Sequence, residues 1–336
     1  MRILEVSRYK DNFADHQLPF VKEQGEAIAQ VLREGKSQEP RVESESSVVE
    51  YFLVKGNYLK AVKALKAKIR EFKPDIIHAH YGLSAITAEL QSMVPVVTTF
   101  HNGETHSWWV NFITSLMSLR AKHVIYVAQH IRDLVYFKAK NYSIIPCGVS
   151  LEDCFLMNKA EARKQLGWDA KKKYVMFGGA FDNLRKNYKL LAEAVECLKN
   201  EGLNDIECIE MRGMTREQCV LRMNACDVFA LPTKNEGSPQ ALKEAMACNC
   251  PIVATDVADI KHLLGNLPGH YILPNKRGNG AWWKGDEHSA EELAELLKKA
   301  FAFEGRTEGR KRIVELGYTN DMVAKKIKEI YGNIIG

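Results

Sequence analysis

Two hydrophobic patterns alternate along this chain, and together they predict its architecture. Short apolar runs rich in β-branched residues predict buried strands, and longer segments with apolar residues at helical spacing predict amphipathic helices. Regular alternation of the two favours an α/β fold built on parallel, doubly wound sheets. Up to residue 138 the predicted elements are strands at 2–6, 48–54, 75–78, 94–100 and 124–127, and helices at 18–33, 58–72, 84–91 and 130–138.

The same alternation continues to the end of the chain. Apolar runs predict strands at 173–177, 206–213, 227–231 and 252–255, and helical spacing predicts segments at 161–166, 290–303 and 320–334. Two further helices are predicted, one ending near Leu198 and one beginning after Thr215, which fits an N-cap. No internal repeat is visible, and 336 residues are enough for two α/β domains.

The most informative stretch is 235–251, which lies between two predicted strands. Ser238 fits a helix N-cap, Pro239 fits the first helical position, and Asn249 fits the left-handed position that closes a helix. This stretch therefore predicts a loop and a short helix whose N-terminus lies at the carboxyl edge of a parallel sheet. Ligands of open α/β sheets bind at that edge, and helix N–H groups there can bind an anion.

Two carboxylates, Glu236 and Glu244, flank this predicted anion site with seven residues between them. As isolated residues they would most often be solvated. With a diphosphate on the N–H groups near 238–241, Glu236 could reach a sugar on one side and Glu244 a ribose diol on the other. The run from Asn235 to Asp256 resembles the family 4 retaining glycosyltransferases of the GT-B fold, also called glycosyl transferases group 1.

The resemblance implies a division of the chain into domains. The GT-B fold has two Rossmann-like domains that face a cleft. Residues 1–150 would form the acceptor-binding domain, residues 151–318 the nucleotide-sugar-binding domain, and residues 319–336 a helix that packs back on the first domain. The hinge would follow Pro146-Cys147-Gly148-Val149-Ser150, which resembles a family segment that has Asp in the place of Ser150.

The resemblance also implies roles for individual residues. His101, which follows a strand ending in Thr98-Thr99-Phe100, would contact the donor sugar together with Glu236, and Lys186 would grip the donor diphosphate. These three are the predicted catalytic residues. The predicted donor-binding residues are Arg185, Arg212, Gly213, Gly237, Ser238, Pro239, Gln240, Ala241, Leu242 and Glu244.

Four positions depart from the family pattern or leave alternatives open. Ala180 stands where an arginine is usual, and either Arg185 or the helix N-terminus would have to compensate. Glu104 stands near a position where relatives carry Asp, so the role of that position is not carried over. Arg212 could face the nucleotide or the solvent, and His78, which still belongs to a strand, favours a structural role.

The implied activity is metal-independent transfer of a sugar from a nucleoside-diphosphate donor to a glycan or lipid-linked acceptor, with retention of configuration, in surface polysaccharide or glycoconjugate synthesis. No cofactor is expected. The acceptor would be read by loops around 7–19. The choice among UDP, GDP and ADP donors stays open, as do a sugar-nucleotide epimerase and a catalytically silent sugar-nucleotide-binding subunit as alternatives. The missing GxGxxG after the first strand argues against a nicotinamide dehydrogenase.

Composition changes this interpretation little. A net charge of +5 without any recognition motif does not indicate nucleic acid, and no apolar run approaches the roughly 20 residues of a membrane span. We therefore expect a cytoplasmic protein that could act at the inner face of the membrane. The lysines of the segment 58–73 could be a solvated helix face or could contact anionic lipid. The eight cysteines form no CxxC pair and predict reduced, buried thiols and no metal site.

Overall fold

The computed structural model describes residues 1–9, 18–34, 48–274 and 288–336. The chain forms two compact units, which we call unit 1 (Met1–Gly148 with Asn320–Gly336) and unit 2 (Val149–Thr319). Each unit contains a sheet of parallel strands with helices between them in sequence. The predicted α/β class with two Rossmann-like sheets is therefore confirmed.

Unit 1 begins with a regular succession of strands and helices. Its described elements up to residue 148 are β1 (Ile3–Arg8), α1 (Pro19–Glu34), β2 (Val49–Val54), α2 (Tyr58–Phe72), β3 (Ile76–His80), α3 (Gly82–Glu89), β4 (Val96–Phe100), α4 (Trp108–Ser118), β5 (His123–Tyr126), α5 (Gln129–Leu134) and β6 (Tyr142–Ile144). A 3-10 turn, Gly103–His106, precedes α4. The strands are ordered β2-β1-β3-β4-β5-β6 and all pairs are parallel.

The apolar residues of unit 1 cover both faces of its sheet. Leu4 and Ile77 pack on the side of α2 and α3, where Leu65 of α2 is fully buried. Ile3 and Ile76 point to the opposite side and pack against Ile28 of α1. Because β3 and β4 are buried along their whole length, polar side chains at their carboxyl ends are enclosed by protein.

Unit 2 repeats this plan with a smaller sheet. Its described elements are α6 (Lys159–Leu166), β7 (Lys173–Phe177), α7 (Tyr188–Asn200), β8 (Ile206–Ile209), α8 (Arg216–Ala225), β9 (Val228–Leu231), α9 (Gln240–Ala247), β10 (Ile252–Thr255), α10 (Ile260–Leu264), β11 (His270–Leu273), α11 (Ala290–Ala302) and α12 (Gly309–Glu315). The strand order is β11-β10-β9-β7-β8, again parallel. β9 is fully buried at the centre of this sheet.

The last helix, α13 (Asn320–Ile335), returns to unit 1. It packs against α1, and Val323, Ile327 and Tyr331 are buried in the same apolar cluster as Ile28. The chain leaves unit 1 after Gly148 and returns to it at Asn320, and these two residues lie against each other. A Cβ atom on Gly148 would come within 2.7 Å of the Cα atom of Asn320, so this close approach requires glycine.

Helix α2 has the arrangement of a solvated amphipathic helix. Leu65, Ile69 and Phe72 are its buried residues, and its lysines decorate the remaining surface. Among the described residues, no helix combines the length and the apolar character needed to cross a membrane. All eight cysteines are free, and six of them are buried.

Candidate active site

The loop after β9 and the start of α9 carry the two predicted carboxylates of unit 2. Glu236 and Glu244 are each only 7% exposed, so neither is the solvated residue that its type would suggest in isolation. The first-turn N–H groups of a helix point away from its body and can bind an anion. In α9 these groups include those of Ala241 and Leu242, at the carboxyl edge of the sheet.

The predicted cap of α9 is wrong by one residue. Pro239, with an extended backbone, occupies the N-cap position, and its side chain makes no capping hydrogen bond. Ser238 instead donates its hydroxyl to Oδ2 of Asp259, at 2.6 Å. The hydroxyl is thus engaged by a tertiary partner from the loop after β10. The other end follows the prediction, because Asn249 adopts a left-handed conformation with φ of 54°.

The loop after β7 brings Lys186 to Glu236. Lys186 Nζ lies 2.7 Å from Glu236 Oε1, and both side chains are largely buried. The stem of Lys186 runs along the backbone of Gly179, where a Cβ atom would come within 2.9 Å of the lysine Cγ. Glycine at this position therefore helps to direct the lysine toward Glu236.

Backbone hydrogen bonds join the two loops that carry this pair. The carbonyl of Arg185 accepts from Lys234 N at 2.9 Å and from the Thr233 hydroxyl at 3.2 Å. Asn187, with φ of 62°, begins α7 from a left-handed conformation. Lys186 is thus held between two constrained residues, which fixes its direction. Ala180, in the same loop, places a methyl group at the position where the family resemblance led us to expect an arginine.

Two cationic side chains that the sequence analysis gave no role complete the charges around α9. Arg216 of α8 pairs with Glu244, with 3.1 Å between Nη2 and Oε1. Burial raises the pKa of Asp259 to about 6, although the hydrogen bond from Ser238 and the charge of the fully buried Lys243 lower it. The spacing of these residues along the chain contains no signal for such pairs, because each pair joins different elements.

Arg212 and Gly213 follow β8. Arg212 is half exposed and pairs with Asp182, and its Nε lies 3.6 Å from Glu210 Oε2. Gly213 has φ of 69°, and the neighbouring Met211 N donates to Gly179 O at 3.0 Å. The loops after β7 and β8 therefore lie side by side. The two interpretations of Arg212, toward a nucleotide or toward solvent, both stay open.

In unit 1, His101 ends a chain of hydrogen bonds that begins inside the sheet. Glu5 Oε2 lies 2.8 Å from His80 Nε2, and His80 Nδ1 lies 3.1 Å from His101 Nε2. Glu5 and His80 are buried, whereas His101 is partly exposed. In the neutral tautomer of His80 that donates from Nε2 to Glu5, Nδ1 accepts a hydrogen bond from His101 Nε2. This chain leaves His101 Nδ1 as the acceptor, 3.8 Å from the Cys147 thiol.

His78 has the structural role that the sequence favours. It is fully buried, with 2.6 Å between Nδ1 and the Tyr331 hydroxyl and 2.7 Å between Nε2 and the Thr99 hydroxyl. Burial holds its pKa well below the ordinary value. Glu5, His78 and His80 also place ligand atoms within 4.8 Å of one another, as a metal site would. Both nitrogens of each histidine are already engaged in hydrogen bonds, so hydrogen bonding is enough to explain this cluster.

A cavity of about 230 Å³ opens beside these strand ends in unit 1. Glu104 lines it and accepts hydrogen bonds from Gly82 N at 2.8 Å and His101 N at 3.3 Å. Burial raises the pKa of Glu104 to about 7. Arg8 and Leu18 also line the cavity. They flank residues 10–17, so most of the predicted acceptor loop 7–19 lies outside the described residues.

Comparisons with known proteins agree in both halves of the chain. The family model Glycosyltransferase Family 4 matches residues 30–153, and the model Glycosyl transferases group 1 matches residues 202–299. A protein of Bacillus subtilis named for teichuronic acid biosynthesis, the glycosyltransferase TuaC, is 26% identical over 69% of this chain and 62% of its own length. A glycosyltransferase of Methanocaldococcus jannaschii is 23% identical over 66% of each chain. The chain thus spans about two thirds of the length of the curated relatives it matches.

Solved structures show the same fold over nearly the whole chain. A sucrose-phosphate synthase from Thermosynechococcus elongatus has a TM-score of 0.74 at 18% identity, with 99% of each chain covered. HepE of Anabaena, solved with UDP-glucose, has a TM-score of 0.69 at 16% identity, with 99% of this chain and 100% of HepE covered. These neighbours show that the fold is GT-B.

Proposed function

Because the chain belongs to glycosyltransferase family 4, the group 1 glycosyl transferases, we propose that it is a retaining, metal-independent glycosyltransferase. It moves a sugar from a nucleoside-diphosphate donor to a glycan or lipid-linked acceptor, in the synthesis of a surface polysaccharide or glycoconjugate. The binding of UDP-glucose by HepE and the name of TuaC support this donor class and this pathway class.

The observation that carries the proposal is the buried pair of Lys186 and Glu236 beside the start of α9. Breaking a glycosyl–phosphate bond places negative charge on the leaving diphosphate and positive charge on the sugar. Lys186 and the first-turn N–H groups would stabilise the diphosphate, and Glu236, released from the lysine, would hold the sugar. Each such interaction contributes about 3 kcal/mol in a site that excludes water.

The remaining donor contacts follow from the same arrangement. Glu244, held by Arg216, is assigned to the ribose diol, and Arg185 and Arg212 are assigned to the diphosphate and the nucleotide. In unit 1, His101 is assigned to the donor sugar, and its Nδ1 can accept a sugar hydroxyl when the chain from Glu5 fixes its tautomer. Gly213, Gly237, Ser238, Pro239 and Gln240 shape the backbone against the donor.

Retention of configuration needs no protein nucleophile in this scheme. The acceptor hydroxyl attacks the same face of the sugar from which the diphosphate departs. A donor phosphate oxygen takes the acceptor proton, so the leaving group serves as the base. The acceptor is assigned to unit 1, where the cavity beside Glu104 has room for part of a sugar or lipid headgroup.

One feature favours a second candidate, a subunit that binds a sugar nucleotide without transferring the sugar. Ala180 provides no cation for the diphosphate, so catalysis would depend on Lys186 and on Arg185 from the neighbouring position. Such a subunit would bind the donor normally but release no nucleoside diphosphate. A sugar-nucleotide epimerase would convert the donor into an epimeric sugar nucleotide without any acceptor and without net release of nucleotide.

The first experiment is a thermal-shift screen of the purified chain against UDP, GDP, ADP and their common sugar conjugates, with and without EDTA. We expect a selective upward shift that EDTA leaves unchanged, followed by acceptor-dependent release of the nucleoside diphosphate. Binding without release would favour the silent subunit, and a shift that EDTA abolishes would contradict metal independence.

Replacing the sugar-holding carboxylate tests the site itself. Glu236→Ala should lower transfer at least about tenfold, because the contact strengthens as charge develops on the sugar. Glu193→Ala, on the exposed face of α7, is the matched control and should leave transfer unchanged. Wild-type transfer in Glu236→Ala would remove this residue from the site.

A further inference from the structure

Helix α4 distributes its polar and apolar side chains in the opposite way from a helix at a water surface. Its buried residues are all polar, namely Asn111, Thr114, Ser115 and Ser118. Its outer face carries large apolar side chains, namely Trp108, Trp109, Phe112, Ile113 and Leu116, and Leu119 continues it. Trp108 is 73% exposed. Amphipathic helices of globular proteins show the reverse order, with the apolar stripe toward the core.

Hydrogen bonds hold the polar face of α4 inward. Asn111 Nδ2 donates to Leu134 O at 2.9 Å, and Asn111 Oδ1 accepts from Tyr136 N at 3.3 Å. The Ser115 hydroxyl donates to Asn111 O at 2.6 Å and accepts from Phe137 N at 3.3 Å. Rotation of the helix to bury its aromatic side chains would break the contacts with Leu134, Tyr136 and Phe137 and leave buried polar groups unpaired. The exposed apolar face is therefore built into unit 1.

Exposed basic residues follow this apolar face along the chain. The exposed cations that follow α4 are Arg120, Lys122, Lys138 and Lys140, whereas Asp133 is the one carboxylate between residues 108 and 142. The ring of Phe112 lies 5.3 Å from that of Phe137, which brings the segment with Lys138 alongside the helix. Asn141 Nδ2 donates to the backbone carbonyl of Lys122 at 3.4 Å, so the segment with Lys140 lies beside that with Lys122.

We propose that α4 is a membrane-docking surface that inserts its outer face into the interfacial region of a bilayer containing anionic lipids. Tryptophan side chains favour the depth of the headgroups, and the bordering cations complement lipid phosphates. The same charges argue against pairing of two copies through this face, because a two-fold interface would bring two surfaces of like charge together. The proposal does not depend on the transfer reaction.

One further contact connects this surface to the proposed acceptor site. Val110, between Trp109 and Asn111, lines the cavity beside Glu104. A lipid-linked acceptor in the bilayer would then present its headgroup next to the docked helix. This step alone rests on the proposed function, and vesicle binding tests the surface without it.

Helix α2, with its many lysines, provides the matched control. Its apolar residues Leu65, Ile69 and Phe72 are buried, so it offers charge with only Leu59 as an exposed large apolar side chain. If cations alone brought the protein to lipid, α2 would contribute as much as α4. If the apolar face inserts, only α4 matters.

The test is co-sedimentation of the full chain with vesicles of phosphatidylcholine alone and with vesicles to which phosphatidylglycerol is added, because an anionic surface attracts basic segments. We expect binding to the anionic vesicles. Trp108→Ser with Trp109→Ser and Ile113→Ser should weaken it at least about tenfold, because interfacial affinity scales with the apolar area inserted. Lys60→Gln with Lys63→Gln on α2 should leave binding within about twofold.

Insertion depth gives an independent readout. In a variant whose other tryptophans are replaced by Phe (W168F, W282F and W283F), brominated acyl chains should quench the emission of Trp108 and Trp109. Absence of vesicle binding, or equal loss in the α2 and α4 variants, would overturn the proposal. So would a concentration-dependent dimer that the α4 variant dissociates, because the apolar face would then belong to a second copy. Unchanged circular dichroism and melting temperature must accompany the α4 variant for its loss of binding to support the proposal.

Discussion

The carboxyl edges of the two sheets carry different chemistry. In unit 2 the groups at that edge are opposite charges held close together, as in Lys186 with Glu236 and Arg216 with Glu244. In unit 1 they are histidine side chains joined by hydrogen bonds, with Glu5 at the buried end of the chain and His101 at its partly exposed end. This difference bears on what each edge can bind. Paired charges can exchange partners with an anionic ligand, whereas a histidine in a fixed tautomer can accept a hydrogen bond from a neutral hydroxyl group.

The largest effect should come from the lysine of unit 2. Lys186→Ala should lower kcat about 100-fold, because a cation directed at the leaving diphosphate acts mainly in the transition state. Lys189→Ala, which removes an exposed lysine one turn further along, is the control. Equal activity in these two variants would show that the edge of unit 2 does not work through this charge.

The same substitution also tests whether the pair is stabilising. Lys186→Ala leaves the buried carboxylate of Glu236 without its lysine, so we expect a lower melting temperature than in the double variant with Glu236→Ala. Single and double variants of equal stability would indicate that solvent or another cation already compensates Glu236.

The next effect should come from the buried end of the chain in unit 1. Glu5→Gln replaces an acceptor by a group that also donates, so His80 can adopt the other tautomer and His101 loses its fixed acceptor. We expect kcat to fall about tenfold with little change in the KM for the donor. The pH profile of kcat should also shift, whereas Glu26→Gln on the exposed surface of α1 should change neither. A uniform loss of folded protein without a shifted pH profile would indicate a purely structural role.

A smaller effect, on stability, should come from Glu104. In the folded protein the carboxyl group of Glu104 has a pKa of about 7, whereas in the unfolded chain its pKa is near 4.5. The folded state therefore binds more protons between these values, and the free energy of unfolding falls as pH rises from 4.5 to 7, by on the order of 3 kcal/mol. Glu104→Gln should flatten that part of the dependence. The measurement is the free energy of unfolding of both proteins at pH 5, 6, 7 and 8. If Glu104 does not titrate in this range, the two plots of stability against pH will be parallel.

The smallest effect should come from Arg212. It is half exposed and shares its charge with Asp182 and Glu210, and such exposed pairs contribute at most about 1 kcal/mol. Arg212→Ala should therefore change kcat/KM for the donor by no more than about threefold. A loss above about thirtyfold would show that Arg212 holds the nucleotide more strongly than an exposed, shared charge can.

Sequence alone reaches far in the region around β9, α9 and β10. The apolar runs there are short, uninterrupted and followed by Gly, Pro or Asn. Hydrophobic periodicity and the residues that end each element therefore predict the same structure. α2, β7 and β10 have the bounds that the pattern predicts. Where local pattern and turn chemistry agree, the elements follow.

Local pattern fails where tertiary contacts decide. Ser238 has the right side chain for a cap, but Asp259 takes its hydroxyl, and the distance along the chain hides that partner. Sequence reasoning missed the pairing of Arg216 with Glu244 and the burial of Lys243 for the same reason. α4 was not predicted at all, because the rule that places apolar residues inside does not describe a helix whose inner face is Asn, Thr and Ser.

The return of α13 to unit 1 has a consequence for synthesis on the ribosome. Tyr331 contacts His78 in the core, and residues 320–336 complete the packing of α1. The first half of the chain must therefore wait, incompletely folded, while all of unit 2 is translated. Release of a chain truncated at Thr319 should leave unit 2 native but expose α1 and the histidines of unit 1 to proteolysis, so quality control by cellular proteases would act on the oldest part of the polypeptide.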